Sequence, residues 1–480
     1  MRIPHVWWRK ADRSAYIAQV MELPAGGSFW FTTGNPGPAR PPLEGRVRAD
    51  VAVIGGGFTG LWSAIRLLET EPTLRVVVLE GDRVGWGASG RNGGFCAASL
   101  THGLHNGILH FEDELEVLEA EGARNLRELV AFVRNEGIDA ELEETGTLDV
   151  ATEPWQVDGL HEYVDLAARY GETLTFLDRE AIQAAVHSPR FLAGVRVGPE
   201  RCVMVNPAKL AWGLATAAER RGARIAEGSR VRRLERRAGR VDVHVEGGGI
   251  VEADHVLVGT SAYSAWMRRL ASTFVPVYDY VLMTEPLTAG QRDAIGWAGR
   301  EGMSDAGNQF HYFRQSADDR ILWGGYDAIY HPGNAVKPAY DARPATFDAL
   351  ARHFVETFPQ LDGIRFTHRW GGAIDTSTRF SVTFGDALGW RVHYALGYTG
   401  LGVGATRWAA GILRDTVLRP DSDLLRLRFV RSRPFPIPPE PARTPAVEVM
   451  RRSVIAADSN EGRRGLFLQA MDALGIGFDS

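Results

Sequence analysis

Short, unbroken apolar runs alternate along this chain with stretches of helical or two-residue period. Val51 to Ile54 (VAVI) and Val76 to Leu79 (VVVL) are continuous runs, the pattern of parallel strands covered on both faces. Between them Leu61, Ala64, Ile65 and Leu68 recur at helical spacing and predict a helix over 58–70. Leu115, Leu118, Leu126, Leu129 and Phe132 predict a long helix over 112–136. Amphipathic helices are expected at 206–222 and 346–358. Residues 142–151, 224–234, 240–245 and 251–258 read as strands. Residues 274–284, 309–314 and 320–326 alternate like antiparallel strands. A strand at 393–396 runs into a glycine turn and then a helix over 403–418. The proline-rich stretch 434–445 (PFPIPPEPARTP) reads as an extended linker before a last helix near 446–457.

The turn after the first strand carries the clearest chemistry. Residues 50–60 read DVAVIGGGFTG, and Glu80 closes the second strand twenty residues beyond Gly60. Gly55 permits the tight turn, Gly57 lets backbone approach a pyrophosphate, and Gly60 lets the helix pack on the strand. The helix start at Phe58 and Thr59 offers unpaired N–H groups and a positive dipole end to phosphates. Glu80 is placed to accept hydrogen bonds from an adenosine ribose, and an acid there disfavours a 2′-phosphate. Strand, glycine turn, helix, strand and acid together predict a Rossmann-type dinucleotide unit.

Composition changes this picture little. A chain of 480 residues suits two or three folded units, and a net charge of −5 gives no reason to expect a nucleic-acid partner. Cys96 and Cys202 are the two cysteines, too few for a disulfide framework. No metal-ligand cluster, secretory leader or long apolar span is visible, so a cytoplasmic protein without metal or membrane partner is expected. The oligomeric state is not legible.

Residues 85–95 read GWGASGRNGGF. A helix-poor, glycine-rich stretch here lets backbone run beside a long flat ligand, and Ser89, Arg91 and Asn92 add donors. The glycine turn, Glu80 and the run Ala88, Ser89, Gly90, Arg91, Asn92, Gly93, Gly94 together resemble the FAD-dependent D-amino-acid oxidase superfamily, most nearly its γ-glutamylputrescine oxidase and glycine oxidase branch. The resemblance spans about residues 28–420. It implies further FAD contacts at Val231, Thr260, Gly372 and the turn Gly397, Thr399, Gly400, Leu401 and Gly402. It also implies a mixed α/β (α+β) fold, a Rossmann-like FAD-binding domain with an inserted substrate domain on an antiparallel or mixed sheet. The expected division is an N-terminal arm at 1–45, whose Trp7, Trp8, Phe29, Trp30 and Phe31 must pack on something. A discontinuous FAD domain follows at 46–105, 200–265 and 365–420, with a substrate domain at 106–199 and 266–364. A C-terminal extension occupies 421–480.

The implied reaction is oxidation of a CH–NH bond in a small amine or amino acid, with dioxygen as acceptor. A dehydrogenase of the same fold using another acceptor stays open, because no lysine occurs between 266 and 336. The hairpin 309–326 resembles the one over the flavin face, with Tyr312, Arg314, His311 and Trp323 as candidate substrate residues and Tyr326 beside them. Arg314 is the candidate clamp for a carboxylate. Strand alternation puts Tyr312 and Arg314 on one face and His311 and Phe313 on the other. Arg91 stands where some relatives carry a flavin-linking histidine, and no cysteine follows Cys202, so FAD is expected to be non-covalent. Gly385-Asp386-Ala387 superficially resembles a monooxygenase motif, but Leu388-Gly389-Trp390 follows instead of its usual continuation.

Overall fold

The computed structural model describes residues 23, 27–264, 266, 267, 270–389, 391–473 and 476. Trp7, Trp8 and Trp390 lie outside them. Two large sheets divide the described chain. The first has eight strands, in the order Thr383–Ala387, Val392–Leu396, Ile250–Val258, Arg46–Ile54, Val76–Leu79 and Arg224–Ala226, with Arg240–Val245 antiparallel to Ile250–Val258 and Val231–Arg237 antiparallel to Arg240–Val245. Its centre is parallel. The continuous apolar runs follow from two covered faces. Val51, Val53, Val76 and Val78 pack with the helices Phe58–Thr70, Pro207–Arg220 and Gly402–Leu418. Ala52, Ile54, Val77 and Leu79 pack with Val241 and Val243 of the hairpin.

The second sheet has nine strands. Its path runs Ile329–Tyr330, Val275–Thr284, Ile321–Gly325, His311–Gln315, Gly302–Asp305, Thr147–Ala151, Ala193–Val197 and Thr175–Leu177, with Phe366–Thr376 on the other side of Val275–Thr284. All of its pairings are antiparallel except Gly302–Asp305 with Thr147–Ala151. One face holds an aromatic core of Phe313, Trp323, Phe354 and Phe358 under the helix Pro344–Thr357. The other face looks towards the first sheet's helix N-termini.

Several expectations shift by a few residues or a strand. Residues 224–234 break into two strands because Gly228 turns the chain with φ of 60°. Phe366–Thr376, expected within the cofactor segment that starts at 365, pairs instead with Val275–Thr284, so the chain leaves the second sheet only after Thr376. The helix Pro154–Arg169 was not expected, since Pro154 and Gly159 interrupt its pattern; Glu153 and Gln156 form its capping box. The N-terminal arm packs through Phe29 and Trp30 against Val281, Leu322 and Trp370 of the second sheet. The last helices are Arg443–Ser459 and Leu466–Ala473. Among the described residues no helix is long and apolar enough to cross a membrane.

Candidate active site

The strand Arg46–Ile54 ends at Gly55, whose φ of 106° lies in the left-handed region. Its N–H donates to Leu79 O at 2.8 Å. A Cβ on Gly60 would overlap Gly55 O, so only glycine lets the helix Phe58–Thr70 start flush against the strand end. Gly57 precedes that helix without a side-chain cap. A Cβ there would sit 2.7 Å from Ser89 Oγ, which accepts the Phe58 N–H at 2.9 Å. The helix N-terminus therefore meets the second glycine cluster, with Thr59 behind it, in a geometry suited to an anion. Glu80 accepts the N–H groups of Gly56 (2.6 Å) and Asp82 (2.9 Å). Burial raises its carboxyl above the ordinary value while those N–H groups oppose the shift. Each oxygen retains acceptor capacity for a ribose hydroxyl. Ser229 N–H donates to Glu80 O at 2.7 Å, which brings Val231 alongside. Gly259 N–H donates to Ile54 O at 2.9 Å and sets Thr260 beside Gly55.

The second cluster is pinned from three sides. Trp30 Nε1 donates to Asn92 O (2.8 Å) and Trp370 Nε1 to Arg91 O (2.9 Å). Asn92 closes the turn itself, donating to Ala88 O and Ser89 O and accepting from Gly94 N–H at 2.8 Å. Gly90 leaves room for the ring of Phe31, and Gly93 for that of Tyr312. Arg91 is buried, ion-paired to Asp341 at 2.7 Å, and donates to Gly371 O and Trp86 O. Its side chain also lies within 4 Å of where a Cβ on Gly372 would stand.

A third turn closes the site. The strand Val392–Leu396 ends at Gly397 (φ 84°), followed by Thr399 (φ 51°) and Gly400 (φ 94°). Gly397 N–H donates to the Asp375 carboxylate and Thr399 N–H to Asp375 O. Burial pushes the Asp375 carboxyl up to about 6 against that bond. The helix Gly402–Leu418 begins after Leu401 with no side-chain cap, leaving its first N–H groups for a ligand. Thr59 Oγ1 donates to Tyr398 OH at 3.0 Å and ties the first turn to the third.

A cavity of about 1140 Å³ lies between these turns and the second sheet. Gly57, Ser89, Gly93, Gly372, Gly400 and Gly402 line it, while Glu80 and Val231 lie beyond its lining, at the far side of the first turn. The volume exceeds the roughly 300–1,000 Å³ of an ordinary small-molecule pocket. Glycine-lined backbone, two helix N-termini and a ribose-directed acid fit a flavin dinucleotide, with space left for a substrate.

The opposite wall was not foreseen. Val275, Val277, Asp279 and Val281 alternate onto the cavity face of one strand. Asp279 pairs in register with Gly372. Its Oδ2 accepts the phenolic O–H of Tyr312 and its Oδ1 accepts the Tyr280 N–H at 2.8 Å. Tyr312 reaches it by lying flat between two glycines. A Cβ on Gly324 would come within 2.6 Å of Tyr312 Cζ, and one on Gly93 within 2.8 Å of Cε2. Burial pushes the Asp279 carboxyl up to about 6, and the Tyr312 hydrogen bond holds it from rising further. Burial and the adjacent carboxylate drive the phenol well above its ordinary value.

The other expected substrate residues sit elsewhere. Arg314 shares Tyr312's side of the strand but is 1% exposed, donates to Val205 O at 2.8 Å, and lies over the Trp30 ring. It braces Gly94 and lies outside the cavity lining, so the carboxylate-clamp expectation is corrected. His311 is bonded to Asp305 (2.6 Å) and His353 (3.0 Å) and stacked between Trp323 and Tyr326. Trp323 belongs to the aromatic core. Both occupy the helix-covered face, because strand alternation turns them away from the cavity. Tyr326 lines the cavity with Tyr312. Asp386 is tied to His393 in a short strand of the first sheet. Cys96 and Cys202 are buried free thiols.

Comparison with known proteins bears on this geometry. The family model for FAD dependent oxidoreductases (DAO) matches residues 50–416. The chain is 30% identical over 424 residues to a probable oxidoreductase OrdL of Rhizobium meliloti (strain 1021), covering 85% of this chain and 92% of that one. It is 30% identical over 405 residues to the gamma-glutamylputrescine oxidoreductase of Escherichia coli (strain K12), covering 82% and 89%. Among solved structures, the glycine oxidase from Geobacillus kaustophilus matches with a TM-score of 0.65 at 18% identity, covering 80% and 99%.

Proposed function

The chain belongs to the DAO family of FAD-dependent oxidoreductases, and from that premise we propose that it oxidises the CH–NH bond of an amine or amino acid to an imine. Dioxygen is the acceptor and FAD is held non-covalently. One observation carries the reading: a carboxyl, Asp279, opens on the cavity directly opposite Gly372, held by Tyr312. The names of the gamma-glutamylputrescine oxidoreductase and the glycine oxidase support a nitrogen substrate. Two buried free thiols fit a cytoplasmic setting.

Bound FAD supplies the hydride acceptor. The chain's own residues orient and discharge the substrate. An ammonium entering the cavity donates to Asp279, which is charged at neutral pH because it titrates near 6. Tyr312 and the Tyr280 N–H fix that carboxylate so that it presents its remaining lone pairs to the substrate nitrogen. Val275, Val277 and Val281 keep the surroundings apolar, which strengthens the interaction. The Asp279 carboxylate accepts one proton from the ammonium, and loss of a hydride from the α-carbon to the flavin, which would be its acceptor, leaves the protonated imine. Addition of water then gives a carbonyl compound and ammonia or a smaller amine. The uncapped N-terminus of Gly402–Leu418 would hold a bound flavin and favour its negatively charged reduced form with its positive dipole end.

One observation favours a second reading, an amine dehydrogenase. Among the described residues lining the cavity there is no lysine, and the lining arginines Arg91, Arg201 and Arg451 are each ion-paired. An anaerobic screen of amines for bleaching of the bound flavin, followed by admission of air, separates the two. Rapid recolouring supports the oxidase, and slow recolouring the dehydrogenase. Bleaching by NADPH but by no amine would sink both.

A further inference from the structure

The family match ends at residue 416, yet the chain beyond it returns to the cavity. Arg443, Val447, Met450, Val454 and Ala457 recur on one face of the helix Arg443–Ser459. The two ends of this stripe are docked. Arg443 is 5% exposed and donates to Asn334 Oδ1 (2.8 Å) and Pro438 O (2.8 Å). At the other end Ala457 is 2% exposed, and Asp458 accepts the N–H groups of Asn308 (3.0 Å) and Gln309 (2.9 Å) from the substrate hairpin. Between them Arg451 is ion-paired to Asp327 at 3.1 Å. The middle of the stripe is different. Val447, Met450 and Val454 are only partly buried and line the cavity. The helix thus spans the mouth as a beam anchored at both ends, with its apolar centre facing the space that also contains Asp279 and Tyr312. Ile437 of the proline-rich segment, tied by its N–H to Ser272 O at 2.7 Å, continues the same wall.

We infer that the C-terminal segment is the specificity wall of the substrate pocket, and that it selects amines carrying an extended hydrocarbon arm. The arm lies on Val447, Met450 and Val454 while the nitrogen is held by Asp279. Continuity of the stripe with the cavity names the occupant, and the one charged residue that the helix Arg443–Ser459 adds to the lining, Arg451, is already paired with Asp327 and Glu448. Burial of each added methylene then raises affinity about three- to fourfold. The inference rests on the amine reading above.

The test uses the flavoprotein with its whole chain and the series propylamine to hexylamine, with Kd read from how the rate of anaerobic flavin bleaching saturates with amine concentration. Wild type is expected to gain about three- to fourfold in affinity per methylene. Met450→Asn and Val454→Asn are expected to reduce that gain below about twofold, and Ala456→Asn, on the exposed side of the helix, to leave it unchanged. Retained flavin absorbance reports that each variant is folded; if neither asparagine variant is, Met450→Ala and Val454→Ala are read by the same criterion. A wild-type gain that persists in the Met450 and Val454 variants overturns the inference. So does a wild type indifferent to chain length. If alkylamines fail to bind but other amines bleach the flavin, this inference falls and the amine reading stands. If no amine of any kind bleaches it, the amine reading falls as well.

Discussion

Tyr312 donates its phenolic hydrogen to Asp279 across the backbone of Gly324. The two residues come from strands that are not neighbours, since Ile321–Gly325 runs between them. Gly324 on one side and Gly93 on the other leave a slot just wide enough for the ring. The pair therefore couples the second glycine cluster to the substrate wall.

That coupling gives a pH prediction. Asp279 titrates near 6, so its carboxylate is present above that pH and lost below it. KM for an amine is expected to rise as pH falls through 6, and Asp279→Asn to abolish this acid limb. The Tyr312 hydrogen bond lowers the Asp279 pKa, so Tyr312→Phe moves the limb to higher pH. A pH profile of kcat/KM for the three proteins checks the order.

The slot predicts a second variant. Gly324→Ala places a methyl 2.6 Å from Tyr312 Cζ, so the ring must move and the bond to Asp279 breaks. Its acid limb is expected to shift in the same direction as that of Tyr312→Phe. The double variant Gly324→Ala/Tyr312→Phe should shift no further than Tyr312→Phe alone, which a double-mutant cycle on the same profile measures.

How much of this was legible beforehand differs by region. The helix Phe58–Thr70 and the strand Val76–Leu79 were readable to the residue, because a glycine turn and two-sided burial are local patterns, whereas only the apolar half Val51–Ile54 of the strand Arg46–Ile54 was visible. The faces of the His311–Gln315 strand were readable too, since alternation is geometric. Which face met the cavity was not. Asp279 was invisible as a site residue, because a lone acid in VPVYDYVLMT gains meaning only when Gly372 and Tyr312 arrive from elsewhere. One signal was present: Val275, Val277 and Val281 share its face, so the acid interrupts an apolar row. Arg314 misled because a buried arginine bracing carbonyl groups and one clamping a carboxylate look alike in sequence.

Arg314 is accordingly predicted to be structural. Arg314→Met leaves Val205 O without its donor in a buried setting, at a cost of about 1–3 kcal/mol. Urea unfolding should show that loss. The ratio of kcat/KM for carboxylated to uncarboxylated amines should stay within about twofold of wild type, because bidentate pairing with a substrate carboxylate is no part of its role.

The Arg91 side chain, in the second glycine cluster, is spent on Asp341, Gly371 O and Trp86 O. Denaturation is expected to release all FAD to the supernatant after acid precipitation, leaving a colourless pellet. Arg91→Met leaves the largely buried Asp341 carboxyl unpaired, and is expected to cost about 3–5 kcal/mol, read as a lower midpoint of urea unfolding.

The central claim is that Asp279 holds the amine while it is oxidised. The most direct measurement is the single-turnover rate of anaerobic flavin bleaching by one amine, at pH 8, in wild type and Asp279→Asn. Wild type is predicted to bleach rapidly and completely. The variant, with the same flavin content, is predicted to bleach about 100-fold more slowly at equal amine concentration, a loss of roughly 2.7 kcal/mol. Equal rates in the two proteins would contradict the account.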